Sequence, residues 1–282
     1  MRISSLLPAI ALFLPGAALA QQVPESTDEP SVFSGDFLVV GAAVAAIPSY
    51  EGSNDRIALP VAGVAGRLGG IGISARAAGV ALDFVNEGAG HRQGFTLGPV
   101  VRYRMNRSGR AADPVVEKLG KLKGVIEGGV VVGADRKGVF NPHDSLAFGV
   151  DLRWDLSGRH SGMIVAPGVS YLTPLSHGDV AGLAVTASWV DTGYARYNYG
   201  ITAAGAAASG LPAFDARSGF KDVTLGGFLA HDLNGNLLDG GLSLAAGAMY
   251  SRLFGSAADS PIASLRGSTS QWYFAGGFAY VF

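Results

Sequence analysis

The 282-residue chain contains no cysteine. That excludes a disulfide framework, a thiolate metal site and a lipid-modified N-terminal cysteine. A surplus of one charge is also missing. Lys and Arg number 21 against 22 Asp and Glu, so there is no basic face of the kind a nucleic acid needs. Past the N-terminus, no stretch offers the 18 uninterrupted apolar residues of a membrane-spanning helix. G-x-S-x-G, the Walker loop and H-E-x-x-H are absent. No His/Cys cluster has zinc-binding spacing, and nothing in the residue pattern asks for a cofactor.

Glycine and apolar residues are abundant. There are 42 glycines, roughly twice ordinary usage, and 48% of residues are hydrophobic. High apolarity without a spanning helix fits a chain whose apolar residues alternate along strands. The last eleven residues show this most clearly. Trp272, Phe274, Gly276, Phe278, Tyr280 and Phe282 form one set, and Tyr273, Ala275, Gly277, Ala279 and Val281 the other. On a strand these sets face opposite ways. One face is large and aromatic, the other mostly small, and neither carries a charge. A core strand of a soluble sandwich is the competing reading. A transmembrane β-barrel explains the pattern better, because one face meets lipid and the other a lumen. The ending Phe278-Ala279-Tyr280-Val281-Phe282 is also similar to the C-terminal assembly signal of bacterial outer-membrane proteins.

Residues 1–20 read as a secretory signal peptide. Arg2 supplies the positive charge, residues 6–14 an apolar segment interrupted by Pro8, and Ala18-Leu19-Ala20 the cleavage motif. Cleavage between Ala20 and Gln21 would leave residues 21–35 as a polar periplasmic tail and 36–282 as the barrel.

The alternation predicts an all-β, antiparallel transmembrane barrel of about twelve strands. They lie near 36–47, 57–67, 70–76, 79–85, 95–103, 124–134, 146–154, 163–171, 181–190, 220–231, 240–251 and 272–282. Leu146, Phe148, Val150, Leu152 and Trp154 share one face, opposite Ala147, Gly149, Asp151, Arg153 and Asp155. Phe95, Leu97, Pro99, Val101 and Tyr103 likewise oppose Thr96, Gly98, Val100, Arg102 and Arg104. An arginine facing lipid near the midplane costs about 2–4 kcal/mol, so the charged sets face inward. Pro99 and Pro167 remove ladder hydrogen bonds and predict local bulges. The glycine-rich run 63–72 predicts a barrel corner with close backbone approach. With both termini in the periplasm, the three longest connections, 105–123, 191–219 and 252–271, all fall outside, as this architecture requires.

Pro48-Ser49-Tyr50-Glu51-Gly52-Ser53 resembles the Tyr-Glu-Gly segment of the MipA/OmpV family. Gly98-Pro99-Val100-Val101-Arg102-Tyr103 resembles that family's Gly-Pro-x-x-x-Tyr strand, and Glu127-Gly128-Gly129 its acidic-then-small strand. The segment 255–267, with Ala258-Asp259-Ser260-Pro261, resembles the stretch before its closing strand. The segment from Asp191 to Gly200 keeps only part of the family pattern. The resemblance covers roughly residues 35–282. It implies an outer-membrane protein in contact with outer-membrane lipid. For part of the family it also implies a scaffold that holds a lytic transglycosylase near a bifunctional murein synthase. Other members are described as outer-membrane or adhesion-related proteins. No catalytic residue is transferred.

The residues themselves point away from an enzyme. His143 and His231 neighbour Asp144 and Asp232, but adjacent strand residues face opposite ways and form no dyad. Together with His91, His160 and His177 they read as solvated turn histidines. The inward charges Arg102, Arg104, Glu127, Asp151, Arg153 and Asp155 either form a salt-bridge network that plugs a narrow lumen or line a small polar pore. Their mixed signs favour the network. Residues 113–124 have a helical pattern with Val115, Val116, Leu119 and Leu122 on one side. The segment 203–213 is small and flexible in composition. Three function classes stand: a non-catalytic scaffold, favoured by the resemblance, a small-solute channel or surface barrel, and, last, an enzyme at the rim using His160.

Overall fold

A computed structural model describes residues 31–85, 92–109 and 111–282. The signal-peptide region, the Ala20 and Gln21 cleavage site, most of the tail and His91 lie outside these residues. Among the described residues, twelve antiparallel strands close into a single barrel. They are β1 (Phe37–Pro48), β2 (Arg56–Leu68), β3 (Ile71–Arg76), β4 (Gly79–Asp83), β5 (Gln93–Arg104), β6 (Val125–Lys137), β7 (Ser145–Asp155), β8 (Met163–Pro174), β9 (Asp179–Val190), β10 (Gly219–Asp232), β11 (Gly241–Leu253) and β12 (Ser270–Val281). Each pairs with its sequence neighbours, and β1 pairs with β12 from Val39–Val281 to Ala46–Phe274 to close the ring. The expected strands and their alternation are all present.

The wall is apolar outward. Val44, Phe95, Leu97, Phe148, Leu183, Leu225, Leu229 and Phe278 project from the strands and are exposed. So continuous an apolar surface is foreign to soluble monomers and is the lipid face of a membrane barrel. Trp154, Trp189 and Trp272 gather near the loop end, while Tyr280 and Phe282 mark the turn end. These are the two aromatic girdles expected at the membrane interfaces. Phe278, Tyr280 and Phe282 all point outward, 44–65% exposed.

The ladder is not uniform. The β2–β3 pairing consists of Gly66–Ile73, Arg67–Gly72 and Leu68–Ile71. The loop-end part of β2, from Arg56 to Ala65, has a ladder partner only in β1. The glycine run supplies the bend. At Gly66 the backbone sits against the Phe37 carbonyl so closely that a Cβ has no room, and its φ of 155° suits glycine.

The expected bulges at Pro99 and Pro167 do not form. β5 pairs with β6 through Pro99–Val130, and β7 with β8 through Val150–Pro167, without a shift. On the other edge, the β4–β5 ladder ends at Ala81–Val100, next to Pro99, while beside Pro167 two rungs lapse and pairing resumes in register: Val165–Trp189 is followed by Gly168–Thr186. Proline removes an N–H, but its φ is compatible with an extended chain. A missing rung therefore suffices, and no extra residue is inserted. The register shift lies instead between Phe220 and Asp222 of β10.

Short helices cap the loop end. Helix α1 (Pro114–Glu117) is shorter than the 113–124 pattern suggested. Asp113 caps it by accepting the Val115 and Val116 N–H groups, and Pro114 starts it. The turn then tightens and stops at Gly120, whose φ is 79°. Helix α2 (Thr192–Tyr199) is capped by Asp191, and α3 (Ala203–Ser209) by Thr202. The alanine-rich segment is thus partly helical. Helices α4 (Gly255–Asp259) and α5 (Pro261–Ser264) precede β12. Tyr194, Ala195 and Tyr199 of α2 pack with Ala257, Ala263 and Leu253 into one buried cluster over the barrel mouth.

Candidate functional site

Beneath this cap, eight charged side chains alternate in sign across the lumen. Arg76 of β3 holds Asp151 of β7 with two hydrogen bonds, at 3.0 and 3.2 Å. Arg153 also donates to Asp151, at 3.0 Å, and to Glu127 of β6 at 3.1 Å. Arg104 of β5 binds the second Glu127 oxygen and reaches Glu51 of the β1–β2 loop at 2.9 Å. Lys221 of β10 joins Glu51 at 3.1 Å and Asp222 at 2.6 Å. Glu127 is fully buried, and Arg104 and Arg153 are nearly so. A buried carboxylate is tolerable only with both oxygens satisfied, and Glu127 has an arginine on each.

The β10 register shift makes the last link. Lys221 is the extra residue of a bulge, so it and Asp222 both turn inward where simple alternation would send one to lipid. At the other side of the mouth, Tyr199 donates to Glu51 at 2.6 Å, and Tyr194 reaches the same oxygen at 3.4 Å. Arg104 lies over the Tyr194 ring at 5.0 Å, a cation–π contact. Burial alone would raise the Glu51 carboxyl. Lys221, Arg104 and the Tyr199 hydroxyl outweigh it and hold it well below the usual carboxylate range. Burial pushes the Tyr194 hydroxyl up to about 12. Glu51 is thus ionised and the tyrosines neutral, the states that make a donor-to-carboxylate cap stable.

Four of the six inward charges singled out from sequence, Arg104, Glu127, Asp151 and Arg153, meet in this chain. Asp155 does not. It sits at the loop end of β7, where its carboxylate accepts N–H groups from Ser157, Arg159, His160 and Ser161 and so folds the β7–β8 loop. Arg102 faces the lumen but has no carboxylate within bonding distance, and its Nε is buried without a partner. Arg76, Glu51, Lys221, Asp222, Tyr194 and Tyr199 were missed. The adjacent charges Lys221-Asp222 at a strand start were the one available signal, since both can face inward only through a bulge.

His160 corrects the solvated-histidine reading. It is 5% exposed, with its ring edge-on to Tyr194 at a centroid distance of 5.2 Å. Its Nδ1 accepts the Gly162 N–H at 2.9 Å. Helix α2 covers it, and burial pushes its pKa down, so it stays neutral. His143, His177 and His231 are exposed. His231 meets Asp179, its register partner on β9, at 2.8 Å rather than Asp232.

Below the ion chain the lumen holds a cavity of about 360 Å³. It follows the β6–β8 wall from Arg102, Arg104 and Arg153 to Asp135 and Ser170 nearer the turn end. Phe228 of β10 points inward, packs on Leu172 and Val180, and lies against Gly182, where a Cβ would collide with its ring. It borders both this cavity and a smaller one of about 80 Å³ walled by Ala and Gly of β1, β2, β11 and β12.

The family described as MltA-interacting protein MipA matches residues 40–282. The chain belongs to the MipA family. Its membrane-facing belt and closed ring make this MipA-family chain an outer-membrane β-barrel protein. The segments that carried the resemblance, around Glu51, Arg102, Glu127 and Ser260, converge at the cap, where the Ser260 hydroxyl donates to the Tyr199 carbonyl at 2.7 Å. No curated protein matches the chain in sequence. Among solved structures, the Acinetobacter baumannii outer membrane channel DcaP is similar at 14% identity, covering 97% of this chain and 70% of its own, with a TM-score of 0.38. The Pseudomonas putida toluene transporter TodX is similar at 9% identity, covering 94% and 95%, with a TM-score of 0.39. Similarity this distant says nothing about what this MipA-family barrel does.

Proposed function

We propose that this MipA-family barrel is a non-catalytic outer-membrane scaffold that holds peptidoglycan-processing enzymes, a lytic transglycosylase first among them, at the periplasmic face. Membership of a family described as MltA-interacting carries this reading. The ion chain and α2 fill the lumen at the loop end, which supports a support role over free passage of solute. The turn end supports a docking role. Asp144 accepts N–H groups from Val139, Phe140 and Asn141 and the Tyr171 hydroxyl, so the β6–β7 turn is held in one shape. Asp232 does the same for Asn234 and Gly235 in the β10–β11 turn. Phe140 is 78% exposed on the first of these turns. A rigid turn presenting an aromatic side chain loses little entropy on binding, as a contact anchor requires.

The test is capture of a lytic transglycosylase and a murein synthase from envelopes by the tagged mature barrel in mild detergent, beside an unrelated barrel. Specific recovery that falls on Phe140→Ser supports the scaffold. Recovery no better than the unrelated barrel overturns it.

A further inference from the structure

We infer that the lumen cavity is a binding site for a small hydroxylated monocarboxylate, a sugar-acid type of solute, whose carboxylate is held by Arg102. The inference starts from charge. Arg76, Arg104, Arg153 and Lys221 are matched one for one by Asp151, Glu127, Glu51 and Asp222. Arg102 is the fifth cation, and among the described residues it has no anion. Its cross-strand neighbour is Glu127, but both Glu127 oxygens are taken by Arg104 and Arg153. Both Asp151 oxygens are likewise engaged. Arg104 lies two residues along the same strand face, roughly 7 Å away. An unpaired guanidinium beside like charge in a low-dielectric lumen is costly, and a bound anion removes that cost.

The cavity fits such a ligand in size and lining. About 360 Å³ is within the range of small-molecule pockets. Arg102 lines it together with Thr96, Ser170, Thr186, Ser188 and Tyr273. None of these five side chains has a hydrogen-bond partner in the described protein. Five free hydroxyls on an otherwise largely apolar lining suit a solute that carries both hydroxyls and hydrocarbon, and Arg102, the guanidinium without a bonded carboxylate, suits one carboxylate; Asp135, lower on the same wall, disfavours a more negative ligand such as a phosphate dianion. Guanidinium and carboxylate pair in two parallel hydrogen bonds. The ion chain closes the loop end, so the ligand enters from the turn end.

Isothermal titration of the mature barrel in detergent with gluconate, inorganic phosphate and chloride tests this. The expected result is saturable gluconate binding stronger than that of either inorganic anion. Arg102→Gln should weaken it about tenfold or more, and Arg196→Ala should leave it unchanged. The ligand-free Arg102→Gln barrel should unfold in urea at or above the wild-type midpoint, because the substitution removes an unmatched charge. No gluconate binding, equal binding by Arg102→Gln, or a ligand-free Arg102→Gln barrel as weakened as Arg104→Gln overturns the site. This outcome is independent of the scaffold reading, which capture of murein enzymes tests separately.

Discussion

The two halves of the lumen solve the same problem in opposite ways. At the loop end, polar side chains from β3, β5, β6, β7, β10 and the β1–β2 loop converge into one alternating chain, sealed by the tyrosines of α2. Toward the turn end, on the side of β1, β2, β11 and β12, the fill is apolar and sparse: Phe228 against Gly182, with alanines and glycines around a small void. The first half depends on mutual satisfaction, so each group is costly to remove alone. The second depends on area removed from water, so each group counts for itself. The lesson is that one barrel can combine a cooperative plug with a forgiving floor.

The sharpest way to break this contrast is Glu127→Ala. It strands Arg104 and Arg153 together, and loss of one partner from a buried ion pair costs about 3–5 kcal/mol. Urea unfolding of the refolded barrel in lipid vesicles reads this directly, and a loss under about 1 kcal/mol would contradict the cooperative plug. Phe228→Ala at the other end should cost less, about 1.5–3 kcal/mol, the transfer value of the side chain. The cavities on either side leave little packing to collapse. That loss should not change between pH 7 and pH 4, since no charge is involved.

Acid separates the halves again. The Glu51 carboxyl is held below the usual range when folded. Its contribution is therefore complete above the unfolded value near pH ~4.3 and is lost as pH falls through the folded value. Urea midpoints taken from pH 7 downward should hold steady and then drop below about pH 4.3, and Glu51→Gln should start lower and flatten that drop. The smallest effect belongs to neither half. Arg196 and Asp215 pair at 2.7 Å on the cap surface, each with a 60% exposed side chain. Arg196→Ala should leave the urea midpoint almost unchanged, and any loss should shrink further in salt.

The barrel was legible because period-two alternation is imposed by lipid on one side and lumen on the other, as Leu146–Trp154 against Ala147–Asp155 shows. Arg104, Glu127, Asp151 and Arg153 were legible for the same reason: a charge on the inner set has nowhere else to go. Lys221 and Asp222 were not, because a bulge breaks the period that reveals the face. Glu51 was hidden by its place in a loop, where no alternation applies and only the fold shows what the loop covers. His160 looked solvated because its own turn is polar. What buries it is α2, more than thirty residues away in the chain. The prolines misled in the opposite direction, since a lost hydrogen bond does not require an inserted residue.

The short strands β3 and β4 have a consequence outside the protein. At six and five residues they rise only about 20 and 17 Å, against twelve or more residues in β1, β2 and β5. Beside them the loop-end part of β2 has no ladder partner on that edge, and bare backbone groups are not tolerated in hydrocarbon. Lipid along this sector must thin to meet the protein, since a hydrophobic span that is too short draws the bilayer in around it. The surrounding annulus is therefore not round in its properties. It has a thin side, fixed by the β2–β4 segment, at which acyl chains are shortest and water approaches the midplane most closely.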